Sequence, residues 1–262
     1  MLQIPKLLEQ IDYTNKPLDY KWDENKSERF LSQQVIDQKL LDEVCKLNYK
    51  AAFGFASAAF EWICWRFQNW RPKESGKTLD LAFQATQAHW LGQVDKYYIL
   101  DWNNSTDYED LLKDKIEPPL WVAYDLMGDA RFNYIETRPT LYGNATRLLT
   151  LARYLSTEKV LFDSWLEDCL EKTEKLFPNK QWPIGEELSS DNMDENYDSN
   201  NDPFIPREFF FTECFNYKGA DLVKMQRDML NKADYNENDL LNPPADMLKE
   251  GFQGTPYKYK PK

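Results

Sequence analysis

An all-α fold follows from three features of this 262-residue chain. Apolar residues recur mostly at three- and four-residue steps, residues 51–60 are apolar nearly all round, and no segment alternates polar and apolar residues with β-branched enrichment. The expected architecture is an irregular antiparallel helical bundle around a central apolar helix at about 51–68, with an acidic loop near 186–202. Three stretches are expected in order: a helical core domain at 1–180, an acidic loop or linker at 181–206, and a helical segment at 207–262 that packs on the core and ends in a mobile tail.

Residues 1–25 read as an irregular arm with one short helical turn, because Pro5 and Pro17 interrupt it. A helix is predicted from Ser27 through Cys45, with Phe30, Leu31, Val35, Leu40, Leu41 and Val44 on one face. The central helix follows. Its run is too short and too charged for a membrane span, which needs about 20 apolar residues, since Lys50 and Arg66 flank it and Glu61 lies inside. Small side chains at Ala52, Gly54, Ala56, Ser57, Ala58 and Ala59 let neighbouring helices approach closely.

After a turn at residues 71–76, Thr78 is the expected cap of a helix whose inner face holds Leu81, Ala85, Ala88, Leu91 and Tyr98. Residues 106–109 match a capping box ahead of Leu111 and Leu112, and Pro118 and Pro119 open a further helix with Leu120, Tyr124, Met127 and Phe132 inward. Leu148, Leu149, Leu151, Ala152 and Leu155 mark the next. Thr157 is then expected to cap the clearest amphipathic helix, with Phe162, Trp165, Cys169 and Leu170 inward, Glu167, Asp168, Glu171 and Glu174 outward, and Pro178 as its stop. Residues 206–215 are strongly aromatic, and 209–212 would suit a strand in isolation; 220–233 and 246–251 read as helices.

The formal net charge is −12, and residues 181–206 contain no Lys or Arg. They carry Glu186, Glu187, Asp191, Asp194, Glu195, Asp198 and Asp202, a block of one sign that must stay solvated, hold cations or meet a basic partner. An acidic balance disfavours nucleic acid and anionic membrane surfaces as direct partners. The four cysteines show no Cys-x-x-Cys spacing and the N-terminus has no basic region before an apolar run, so the expected compartment is the cytoplasm.

Motifs for chemistry are sparse. His89 is the single histidine, Thr86 breaks the Glu-x-x-His pattern, and no metal or cofactor is expected. Residues 75–78 imitate the end of a phosphate-binding loop, but Arg71 stands where its first glycine belongs. Asp194, Asn196 and Asp198 start like a calcium loop, yet Ser199 replaces the required glycine and Ile205 the closing glutamate. Glu61, a carboxylate within an apolar helix, is either a proton donor with a raised pKa or the partner of a cation or of indole and tyrosine donors.

The leading functional expectation is a non-enzymatic binding protein whose acidic residues meet a basic protein. Its contacts would come from the seven carboxylates of the acidic stretch together with Trp182, Asp107, Glu109 and Asp110. In general character the chain is similar to acidic bacterial immunity proteins, which implies inhibition of a basic toxin or effector such as a nuclease. Two other readings stand beside it: a helical enzyme using Glu61, Asp95, Asp125 or Asp129 in an inter-helix pocket, and a nucleic-acid mimic presenting carboxylates at phosphate-like spacing.

Overall fold

A computed structural model describes residues 2–11, 20–32, 36–68, 76–100, 118–182 and 197–259. Among them are eleven α-helices: α1 Lys6–Glu9, α2 Glu24–Leu31, α3 Gln38–Val44, α4 Tyr49–Arg66, α5 Gly76–Gly92, α6 Pro118–Ile135, α7 Thr140–Leu155, α8 Lys159–Leu176, α9 Arg207–Phe211, α10 Leu222–Asn231 and α11 Pro244–Lys249. The described residues form no strand, and none of their helices is long and apolar enough to cross a membrane. Of the turn expected at 71–76 only Gly76 is described, as the first residue of α5; the rest of it and the capping box at 106–109 lie outside the described residues.

Helix α4 is the axis of the core, and every one of its residues is buried. Asn48 starts it by accepting a hydrogen bond from the Ala51 amide at 2.8 Å, the arrangement that satisfies an orphan donor at a helix N-terminus. The same asparagine donates its own amide to the Phe177 carbonyl, and Asn179 donates to the Lys46 carbonyl, so the chain just past α8 clamps the start of α4. Helices α5, α6, α7 and α9 pack around this axis. Gly54 sets the closest approach: a β-carbon there would sit 2.6 Å from Cζ of Phe210 on α9.

The helix predicted over 27–45 is two helices. Arg147 of α7 donates to the carbonyls of Phe30 and Leu31 at 2.9 and 3.0 Å, fixing the C-terminus of α2 with a buried cation where the helix dipole favours one. Asp37 then caps α3 through the Leu40 amide. Thr157 does not cap α8; the helix starts after Glu158 with no side-chain cap, and the Thr157 hydroxyl is buried without a hydrogen bond. Residues 207–211 are a helical turn and not a strand, because Trp165 and Lys172 of α8 donate to the carbonyls of Phe210 and Phe209 and satisfy its end.

The C-terminal segment is held by backbone bonds as well as packing. Leu100 donates to Leu240, and Asn242 donates to Tyr98. Against the expectation of a mobile tail from 254, the Tyr257 ring packs on Tyr98 with centroids 5.1 Å apart and its hydroxyl donates to the Asn242 carbonyl. That phenol had no apolar partner visible in its neighbourhood of sequence.

Candidate functional site

The described part of the acidic stretch folds against the core. Tyr197 sets its ring edge-on to Tyr49 and donates its hydroxyl to Asp202 at 2.6 Å, while buried Lys50 donates to the Asp202 carbonyl at 3.0 Å. Burial raises the Asp202 carboxyl above its ordinary range, although the Tyr197 hydroxyl and Lys50 both oppose the rise. Asp198 accepts from the Asn200 amide and starts a 3₁₀ turn over Ser199–Asn201, and Asn200 in turn accepts from the Lys96 amide. Asp202 therefore serves chiefly as an internal anchor, whereas Asp198 stays at the surface.

At the other end of the stretch Trp182 is buried against Tyr49 and Tyr142, with ring centroids 6.2 and 5.7 Å away. It faces the core, as does Phe204, and neither offers an exposed aromatic contact. Glu186, Glu187, Asp191, Asp194 and Glu195 lie outside the described residues, as do Asp107, Glu109 and Asp110.

Glu61 is completely buried and fully engaged. It accepts from the indole nitrogens of Trp65 at 2.9 Å and Trp90 at 2.8 Å, and from Nε of Arg207 at 2.8 Å; the Arg207 Nη2 pairs with it as well. Burial alone would lower the Arg207 pKa, but the charge and hydrogen bonds of Glu61 outweigh it and hold the guanidinium above its ordinary value. The spare capacity of Arg207 goes to the Gln3 carbonyl at 2.7 Å, tying the N-terminal arm to the same centre. A carboxylate so saturated is a structural pin.

His89 lies edge-on to the rings of Phe53 and Phe60 with its Nδ1 buried and unpaired. Burial, helped by the charge of Arg131, pushes its pKa well below 6.5 and keeps the ring neutral. Asp125 and Asp129 sit one turn apart on the exposed side of α6; partial desolvation raises both, against the pull of Arg147. Among the described residues no group of three or more His, Cys, Asp or Glu is placed to hold a metal ion.

Two clefts open at the surface. One, of about 1050 Å³, runs between α1, α8 and α9, with Arg207 and Cys169 in its wall. The other, of about 650 Å³, is built from four separate stretches: Asp95–Tyr98 after α5, Asp198 and Asn200 at the end of the acidic stretch, Gln226 and Leu230 of α10, and Phe252 with Tyr259 near the C-terminus. Glu61 lines neither cleft, Asp95 lines the smaller, and Asp125 and Asp129 line neither. No spacing in the sequence links residues 95, 198 and 252, so this convergence was invisible before folding.

The fold also redistributes charge. Among the described residues the core takes in four cations, Lys50, Arg66, Arg131 and Arg147, but a single carboxylate, Glu61. The described residues that stay unburied are thus three units more negative than the described residues taken together. Comparison with protein-family models, with curated proteins and with solved structures gives no match to this chain.

Proposed function

We propose that this chain is a cytoplasmic, non-enzymatic inhibitor that binds a basic protein, most naturally an immunity-type protein directed against a toxin or effector such as a nuclease. The observation that carries this reading is the unequal burial of charge: among the described residues four cations and one carboxylate leave the surface on folding, in a chain that is already acidic. A nuclease needs a positive surface to hold phosphate, and an acidic inhibitor competes for that surface by the same electrostatics. The four free thiols agree with a reducing compartment.

The carboxylate-enzyme reading gains little from the geometry. It needs several carboxylates converging on one cavity, and Glu61, Asp95 and the Asp125–Asp129 pair sit in three different settings. The test of the inhibitor reading is affinity capture from extracts of the source organism at low salt, followed by identification of the partner and measurement of its Kd at 50 and 500 mM NaCl. A basic partner whose affinity falls by at least about tenfold, and whose activity on nucleic acid the chain blocks, is the expected result. An acidic partner, a salt-insensitive Kd, or binding without inhibition of a nuclease partner would sink it.

A further inference from the structure

His89 is the chain's single histidine, and therefore its single side chain whose ordinary pKa falls between about pH 5 and 8. It sits where three helices meet. Its ring, 4% exposed on α5, stands nearly perpendicular to those of Phe53 and Phe60 of α4, and Tyr124 of α6 sets its own ring edge-on to Phe60 with centroids 5.5 Å apart. The buried Nδ1 makes no hydrogen bond. A neutral imidazole fits such a site, whereas an imidazolium brings a charge and a second N–H donor that both need partners.

Among the described residues, the charged and titratable groups of the packed helices supply no counter-charge. On α4, Lys50 donates to the Asp202 carbonyl, the Cys64 thiol lies 3.6 Å from the Thr86 hydroxyl, and Glu61 is taken up by Trp65, Trp90 and Arg207. On α6, Tyr124 and Arg131 are buried, while Asp125 and Asp129 lie on the exposed side. The charge that acts on the ring is that of Arg131, and it opposes a second cation. On α5 itself Asp80 is exposed, more than two turns away.

We propose that His89 is an acid-sensitive switch: the junction of α5 with α4 and α6 has no means of holding a second proton on this ring, so acid opens that junction. Trp90, the next residue of α5, donates to Glu61 at 2.8 Å, so the opening also loosens the pin formed by Glu61 and Arg207 and the hold of Arg207 on the N-terminal arm.

Linkage fixes the direction. With the folded ring held well below 6.5 by burial, its stabilisation is complete above about pH 6.5 and is lost as pH falls from there toward the folded value. The carboxylates act the other way or outside this range. Burial raises Asp125, Asp129 and Asp202, so their protonation favours the folded state. Asp163, Glu171 and Asp228, held low by Arg153, Lys175 and Lys224, lose their contribution only below about pH 4.5. A fall in stability between about pH 7.5 and 5 thus points to one ring.

Urea unfolding of the full chain at pH 7.5 and 5.0 tests it, for the wild type and for His89→Leu, with His89→Gln as a second uncharged replacement. The wild-type unfolding constant is expected to rise by about tenfold or more at the lower pH, toward a ceiling of about 30-fold set by a pH about 1.5 units below the ordinary histidine pKa. That of the variants should stay within about twofold or fall. Proton NMR supplies a reading that needs no variant, because a single histidine leaves no ambiguity in assigning the ring signals. The folded ring should keep its neutral shift down to pH 5.0, while the ring of the urea-unfolded chain titrates near about 6.5. A folded ring that titrates at its ordinary pKa, a wild-type unfolding constant that does not rise, or an equal rise in the variants would overturn the switch.

Discussion

Glu61 and Arg207 differ in one respect that decides how each responds to substitution: the glutamate side chain is wholly buried, while the arginine retains 16% exposure. Removing the arginine strands a carboxylate that has no route to water and keeps only the two indole donors. Arg207→Ala should therefore lower stability by about 3–5 kcal/mol, the range for a broken buried pair. Glu61→Gln still offers an oxygen to Trp65 or Trp90 and leaves the arginine able to turn outward, so its loss should be nearer 1–2 kcal/mol, the cost of hydrogen bonds made imperfect. Urea unfolding of the two variants checks the order; equal losses would mean that the indoles alone can hold the carboxylate. Neither half of the pair was readable as such, because 146 residues separate them. Sequence marked Glu61 as unusual and offered a cation or indole partner as one of its explanations; which cation was a matter of tertiary packing.

At the scale of elements, the long helices were legible because their apolar faces recur with the helical period, and α4 because a helix apolar all round has to be buried. What failed were termini set by distant side chains. Arg147 ends α2, and Trp165 with Lys172 completes α9; both effects come from other helices and leave no trace in local composition. Gly54 and Gly143 turn this contrast into a measurement. Each lies inside a helix, where alanine is intrinsically better by about 1 kcal/mol. At Gly143 nothing lies within 4 Å of the added methyl, so Gly143→Ala should stabilise by up to that amount. At Gly54 the methyl meets the Phe210 ring at 2.6 Å, and overpacking should reverse the sign to a loss of about 1–3 kcal/mol. The partial escape open to the Phe210 ring is limited by Phe55 and Trp90, whose centroids are 5.2 and 5.6 Å from it. If Gly54→Ala stabilised the chain in thermal or urea melts, the packing of α9 on α4 would be looser than these contacts imply.

The whole molecule carries the consequence of where its charges went. Arg66 donates to the Leu155 carbonyl at the end of α7, as Lys50 does to Asp202 and Arg147 to Phe30 and Leu31, and such buried contacts with backbone oxygens respond little to salt. The exterior is left with an excess of carboxylates that repel one another across the surface, with scattered relief from exposed pairs such as Arg153 with Asp163. Exposed pairs are worth little singly, about 0–1 kcal/mol, whereas the repulsion sums over the molecule and extends to about 30 Å at 10 mM salt but only about 8 Å at 150 mM. Screening should therefore remove more repulsion than attraction. The midpoint of thermal unfolding should rise by about 2–4 °C between 10 and 150 mM NaCl, equivalent to about 1 kcal/mol in a chain of this size. Calorimetry at the two salt concentrations decides it. A fall in the midpoint would show that surface pairs outweigh the repulsion, and it would remove the electrostatic excess from which binding to a basic partner was inferred. Stability and partner affinity are thus expected to move in opposite directions with salt, because screening relieves the same carboxylates whose unscreened field would draw the partner in.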